Sequence, residues 1–139
     1  MGNDMTFGSF IRAKRLAQNI TLRALGEMLN LSPVHMSNIE NDRRPAPKGK
    51  SLDLAVEALN LSKEDTEIMY DLAAQSKHIP TVAGDLPEYI MERDIVRVAL
   101  RKAKDVDATD AEWMEFIARL EKRIVRDGEE PPGGKEKDG

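Results

Sequence analysis

Residues 21–41 read TLRALGEMLNLSPVHMSNIEN, and their punctuation predicts two short helices joined by a tight turn. Thr21 is an N-cap residue ahead of Leu22, Leu25, Met28 and Leu29, and Asn30 stands where the chain must leave the helix through a left-handed residue. Ser32 caps the next helix, with Pro33 at the first helical position, where a missing N–H costs nothing. That helix runs to about Asn41 with Met36 and Ile39 turned inward. Leu25, Leu29, Leu31, Met36 and Ile39 have to be apolar to lock the two helices at a steep angle, and Gly26 sits where a large side chain would push them apart. One face of the second helix is thereby fixed outward.

Upstream, Thr6 precedes an amphipathic segment with Phe7, Phe10, Ile11 and Leu16 inward and Arg12, Lys14 and Arg15 outward, ending near Gln18. Downstream, Pro45, Pro47 and Gly49 make residues 42–50 a loop. Leu52, Leu54, Ala55, Val56, Leu59 and Leu61 then form a fourth helix. Ser62 with Asp65 resembles a capping box opening a fifth, through Ile68, Met69, Leu72 and Ala73. Residues 78–87, HIPTVAGDLP, read as a connector. Ile95, Val96, Ala99, Leu100 and Ala103 recur at helical spacing. Thr109 and Glu112 cap a last helix bearing Trp113, Phe116, Ile117, Leu120 and Ile124, so the two should form a helical hairpin. The tail from Asp127 has nothing apolar to bury and is expected to be disordered.

The composition is 40% hydrophobic but only 4% aromatic, which favours an aliphatic, helical core over sheet. The chain has no cysteine, so disulfides and thiolate metal sites are excluded. No apolar run approaches the roughly 20 residues that span a bilayer, and residues 1–20 carry charges where a signal peptide needs an apolar stretch. A cytoplasmic protein is the expectation. The net charge of −4 divides unevenly: residues 1–50 hold eight Lys or Arg against four Asp or Glu, and residues 51–139 hold thirteen against twenty-one. A basic first third on an acidic remainder suggests a surface for phosphate at one end.

No enzyme is expected. His35 and His78 lack further ligands for a metal, no Ser-His-Asp order is credible with two histidines, and no Gly-rich phosphate loop follows a strand. Glu129 and Glu130 lie in the tail, where nothing would hold an acid and a base in geometry. No cofactor is implied. Trp113 on an apolar helix face reads as ordinary core, the alternative being an anchor in a dimer interface.

With these residues in place, the chain resembles the Cro and phage-repressor type of helix-turn-helix, the Xre family, over about residues 7–74. The resemblance is carried by FGSFIRAKR, by TLRALGEMLNLSPVHMSNIENDRRPAP and by LDLAVEALNLS. Gly26, the pair Leu31–Ser32, the run Ser37–Asn41 and the following Arg43–Pro47 stand in the family's spacing. It implies an all-α protein whose residues 1–77 form a five-helix, phage-repressor-like DNA-binding domain with its motif at 21–41. The connector 78–87, a C-terminal hairpin at 88–126 for oligomerisation or partner docking, and the tail 127–139 would follow.

By position, the resemblance assigns base contacts to Ser32, Pro33, Val34, Ser37 and Asn38. A carboxamide at Asn38 suits adenine N6 and N7, and Val34 suits a thymine methyl. It assigns phosphate contacts to Arg15, the backbone at Thr21, Asn41, Arg43, Arg44 and Lys48, and a structural role to Glu40. Three positions depart from the family: Leu22 replaces a frequent glutamine, Asp42 a frequent glycine, and Pro33 a hydrogen-bond donor. DNA shape is therefore expected to supply part of the specificity. The implied function is a repressor-like transcriptional regulator acting as a homodimer on paired half-sites of double-stranded DNA. The acidity beyond residue 50 motivates a second reading, an antitoxin or immunity-type subunit whose C-terminal part engages a toxin or peptidase and which autoregulates its operon.

Overall fold

The computed structural model describes residues 5–129, and among these the regular structure is entirely helical. The helices are α1 (Phe7–Ala17), α2 (Leu22–Leu29), α3 (Pro33–Glu40), α4 (Gly49–Ala58), α5 (Lys63–Gln75), α6 (Pro87–Glu92), α7 (Asp94–Val106) and α8 (Asp110–Glu129). They fall into two compact units: the first ends at Glu92 and the second begins at Arg93.

Most helix boundaries in the first unit have a local chemical cause. Thr6 accepts the Ser9 N–H while Ser9 Oγ accepts the Thr6 N–H, a reciprocal box at the start of α1. The hydroxyls of Thr21, Ser32 and Ser62 accept the N–H groups of Ala24, His35 and Asp65 and start α2, α3 and α5. The Ser62 cap is not reciprocated. The Asp65 carboxylate instead accepts from Lys14 Nζ at 2.6 Å, joining α5 to α1. At the far ends, Asn19, Asn30, Asp42, Asn60 and Asp107 hold positive φ of 52–63° just beyond α1, α2, α3, α4 and α7. Asn and Asp tolerate that region better than any residue but glycine, because the short polar side chain bonds locally.

Phe7, Phe10, Ile11, Leu25, Leu29, Met36, Ile39, Leu52, Ala55, Leu59, Met69 and Ala73 form one core to which α1–α5 all contribute. α2 packs on α3 and α4, and α1 packs on α3 and α5. Two glycines permit the closest approaches. An added Cβ at Gly26 would lie 2.8 Å from the Leu31 carbonyl oxygen, which is why the turn can fold tightly against α2. Gly8, which the sequence reading did not single out, would place a Cβ inside contact distance of the Ile39 and Glu40 carbonyl oxygens.

Three expectations are corrected. Leu16 is exposed and Arg15 is buried, the reverse of the anticipated faces of α1. The stripe that begins at Phe7 and Ile11 continues at four-residue spacing to Arg15, and Leu16 falls roughly 100° away from it. The segment 78–87 belongs to the first unit, where Ala83 is buried and Gly84 lies against the Tyr70 ring, and the short helix α6 follows it. Residues 127–129 continue α8, while the remainder of the expected disordered tail lies outside the described residues.

Tyr70 also ties α5 to α4, its hydroxyl donating to Asp53 at 2.7 Å. Burial, then the bond to Asp53 and the charges of Asp53 and Asp85, push the phenol up to about 12. The folded state thus favours the protonated phenol. Its contribution is complete below the free-tyrosine value of about 10 and is lost as pH rises toward about 12. Tyr70→Phe should therefore lose less of its urea midpoint than the parent across that interval. Gly8→Ala, which forces a methyl against two backbone carbonyls, should lower unfolding free energy by about 1–3 kcal/mol in urea titration.

Candidate nucleic-acid interface

α3 is presented by its own inward residues. Met36 and Ile39 are fully buried and Glu40 nearly so, whereas Val34 is 71% exposed. At about 100° per residue, Val34, Ser37, Asn38 and Asn41 fall opposite that buried side. Ser32 is exposed and Pro33, His35, Ser37 and Asn38 are half-buried. The structure therefore gathers the five residues assigned to base contact at the start and along the outward edge of one short helix.

The loop after α3 is held against the same edge. The Asn38 carbonyl accepts the N–H groups of Arg43, at 2.8 Å, and Arg44, at 3.2 Å, and Arg43 Nη1 donates to Asn38 Oδ1 at 3.5 Å. Asp42 supplies the left-handed turn residue and accepts from the Gly8 N–H and the Thr6 hydroxyl, so a residue unlike the family's glycine both makes the turn and ties it to α1. Farther on, the Ala46 N–H donates to Ser76 Oγ and the Ala46 carbonyl accepts from Lys77 Nζ, pinning the loop to the end of α5. Asn41 donates its side-chain amide to the Ser37 carbonyl at 3.0 Å. Arg43, Arg44 and Lys48 are exposed.

Arg15 has to be withdrawn from the phosphate set. Its Nε and Nη2 donate to the two Glu40 oxygens at 2.6 and 2.9 Å, and Nη1 donates to the Ile20 carbonyl at 3.0 Å. The guanidinium is buried with its partner, and the bond to Glu40 raises its pKa against the opposing effect of burial. Glu40 thus has the structural role expected of it. The clue was present in the sequence, since Arg15 continues the apolar stripe of α1.

Thr21 Oγ1 serves as the α2 cap, which leaves the backbone of that turn for an anion. None of α1–α4 has an acidic residue in its first turn, whereas each of α5–α8 does. The positive ends of the α2 and α3 dipoles are therefore not neutralised locally. Two cations were missed from sequence. Arg23 is exposed in the first turn of α2. Lys77 has its pKa lowered by burial and by the charge of Lys48. Arg23 was visible beside Thr21. Nothing local marks Lys77, which meets the loop only in the folded chain.

Among the described residues, no cluster of His, Cys, Asp or Glu is arranged to hold a metal ion, and no helix is long and apolar enough to cross a membrane. The fold sets this exposed, cation-flanked helix second in a helix-turn-helix arrangement of α2 and α3. Residues 11–65 match the family model described as helix-turn-helix. No curated protein matches the chain. Among solved structures, a chain of a SinR protein/SinI protein complex is 17% identical with a TM-score of 0.41, over 86% of this chain and 99% of its own. A likeness that distant carries no argument about function.

Removing Glu40 leaves a buried, unpaired guanidinium, so Glu40→Ala should lose about 3–5 kcal/mol of stability. Arg15→Ala should also unfold at lower urea. A phosphate-contacting arginine would instead weaken DNA binding at unchanged stability, so the two variants' urea midpoints decide between the roles.

Proposed function

We propose that this protein is a transcriptional repressor that acts in the cytoplasm, binding a pseudo-palindromic operator as a homodimer and inserting α3 into the major groove. The observation that carries this reading is the outward edge of α3, with Val34 exposed and Asn38 beside it while Met36 and Ile39 anchor the opposite side in the core. Ser32, Pro33, Val34, Ser37 and Asn38 face the bases. Pro33 has no N–H to donate, so that position contributes shape and apolar contact. The Thr21 backbone, Asn41, Arg43, Arg44 and Lys48 hold the phosphates on either side. Blocking the groove to polymerase follows from occupancy alone and needs no further chemistry.

No observation favours the alternative of a subunit built to engage a toxin or peptidase. The assignment is tested by selecting binding sites from a random-sequence DNA pool and measuring affinity by fluorescence anisotropy. The parent should enrich a two-fold sequence. Asn38→Ala should lose about 1–3 kcal/mol and relax preference at one base pair per half-site. Arg44→Ala should weaken every sequence and reduce the slope of log affinity against log salt by about 0.9 for each phosphate it no longer neutralises. If the pool yields no preferred sequence, or if Val34→Ala with Asn38→Ala leaves both affinity and selectivity unchanged, the assignment of α3 fails.

A further inference from the structure

The second unit has a feature that DNA binding does not use. No residue of α7 is buried, and residues 110–125 of α8 are all exposed. Trp113, expected as ordinary core, is 38% exposed and stands edge-on to Phe116 of its own helix, with ring centroids 6.2 Å apart. Met114, Ile117 and Ile124 are half to two-thirds exposed. Ile95, Val98 and Val106 of α7 are likewise more than half exposed, so both helices present apolar side chains to solvent.

The pattern on α8 indicates what covers it. Trp113, Ile117, Leu120 and Ile124 are spaced four, three and four residues apart, the seam of a two-helix coiled coil. This spacing is symmetric about a point between Ala118 and Arg119. Set antiparallel on itself, the seam brings Trp113 opposite Ile124 and Ile117 opposite Leu120, each pair occurring twice. The net charge changes sign across that point, and Glu115 falls opposite Lys122. Over residues 110–127, Asp110, Glu112 and Glu115 occupy the first half without a cation, while Arg119, Lys122, Arg123 and Arg126 outnumber Glu121 and Asp127 in the second. Antiparallel pairing puts the acidic half of one helix beside the basic half of the other. Parallel pairing would put like beside like. A surface complementary to itself is what a two-fold contact between identical chains requires.

We infer that α8 pairs antiparallel with α8 of a second copy of this chain, about a two-fold axis near Ala118. The inference deepens the homodimer reading above and names the surface that makes the dimer. The chain has no cysteine, so a single introduced one carries a unique spin label. Full-length chains labelled at Ala118→Cys should hold their nitroxides nearly level across the axis. Labels at Ala111→Cys, on the same side of the helix, should be offset along it by about 20 Å at 1.5 Å per residue. Double electron–electron resonance should therefore report a clearly longer separation at 111.

Light scattering should find the parent dimeric at micromolar concentration, and Ile117→Glu monomeric with its helix content retained. A monomeric parent, equal separations at the two sites, or an Ile117→Glu protein that stays dimeric would each overturn the proposal. The alanine sites leave the seam untouched, so the geometry is tested even where Ile117→Glu does not fold. These readouts contain no DNA. A protein that dimerises this way yet enriches no DNA sequence would refute the repressor reading and leave this one standing.

Discussion

The first unit depends on the ion pair that Arg15 and Glu40 make inside it. Three donors of one guanidinium reach both oxygens of Glu40 and the Ile20 carbonyl, joining α1, the turn after it and the last residue of α3. A bidentate pair fixes orientation as well as distance, which packing among aliphatic side chains alone does not. With Gly8 set against the Ile39 and Glu40 carbonyls, it fixes the last turn of α3 and with it the orientation of the whole helix. The outward edge of α3 is therefore held by chemistry on the opposite side of its own helix. A buried pair of this kind is weak evidence for net stability, and its value here is positional.

Much of this was legible locally. Thr21, Asn30, Ser32 and Pro33 act on backbone groups within four residues of themselves, so their roles could be read in order along the chain. Met36 and Ile39 were legible by periodicity. What escaped was nonlocal. Arg15 looked like a surface cation because its partner lies 25 residues away. Asp65 looked like half of a capping box because Lys14, 51 residues distant, was not in view. Ala83 looked like part of a linker because a single small residue carries little pattern, although the fold buries it. The Asp42 departure from the family's glycine proved benign for the turn, and its carboxylate gained two partners on α1 that no spacing rule indicates.

The two units keep different balances between pattern and packing. In the first, apolar periodicity ends in burial. In the second it does not: α7 and α8 carry apolar stripes as regular as those of α1–α5, yet their side chains remain accessible. Amphipathic helices draw most of their stability from a covered face, so the regularity of those stripes points beyond the single chain.

Acidic residues are excluded from the first turns of α1–α4 and return in every later helix, and the chain as a whole is net negative. A regulator searching a genome is limited less by how tightly it grips its own site than by how often it lingers on the wrong ones. On the repressor reading proposed above, acidic surplus away from α3 weakens indiscriminate adhesion to any duplex, while the few cations around α3 still act at short range on a matched site. On that reading the uneven distribution of charge raises discrimination by lowering the background.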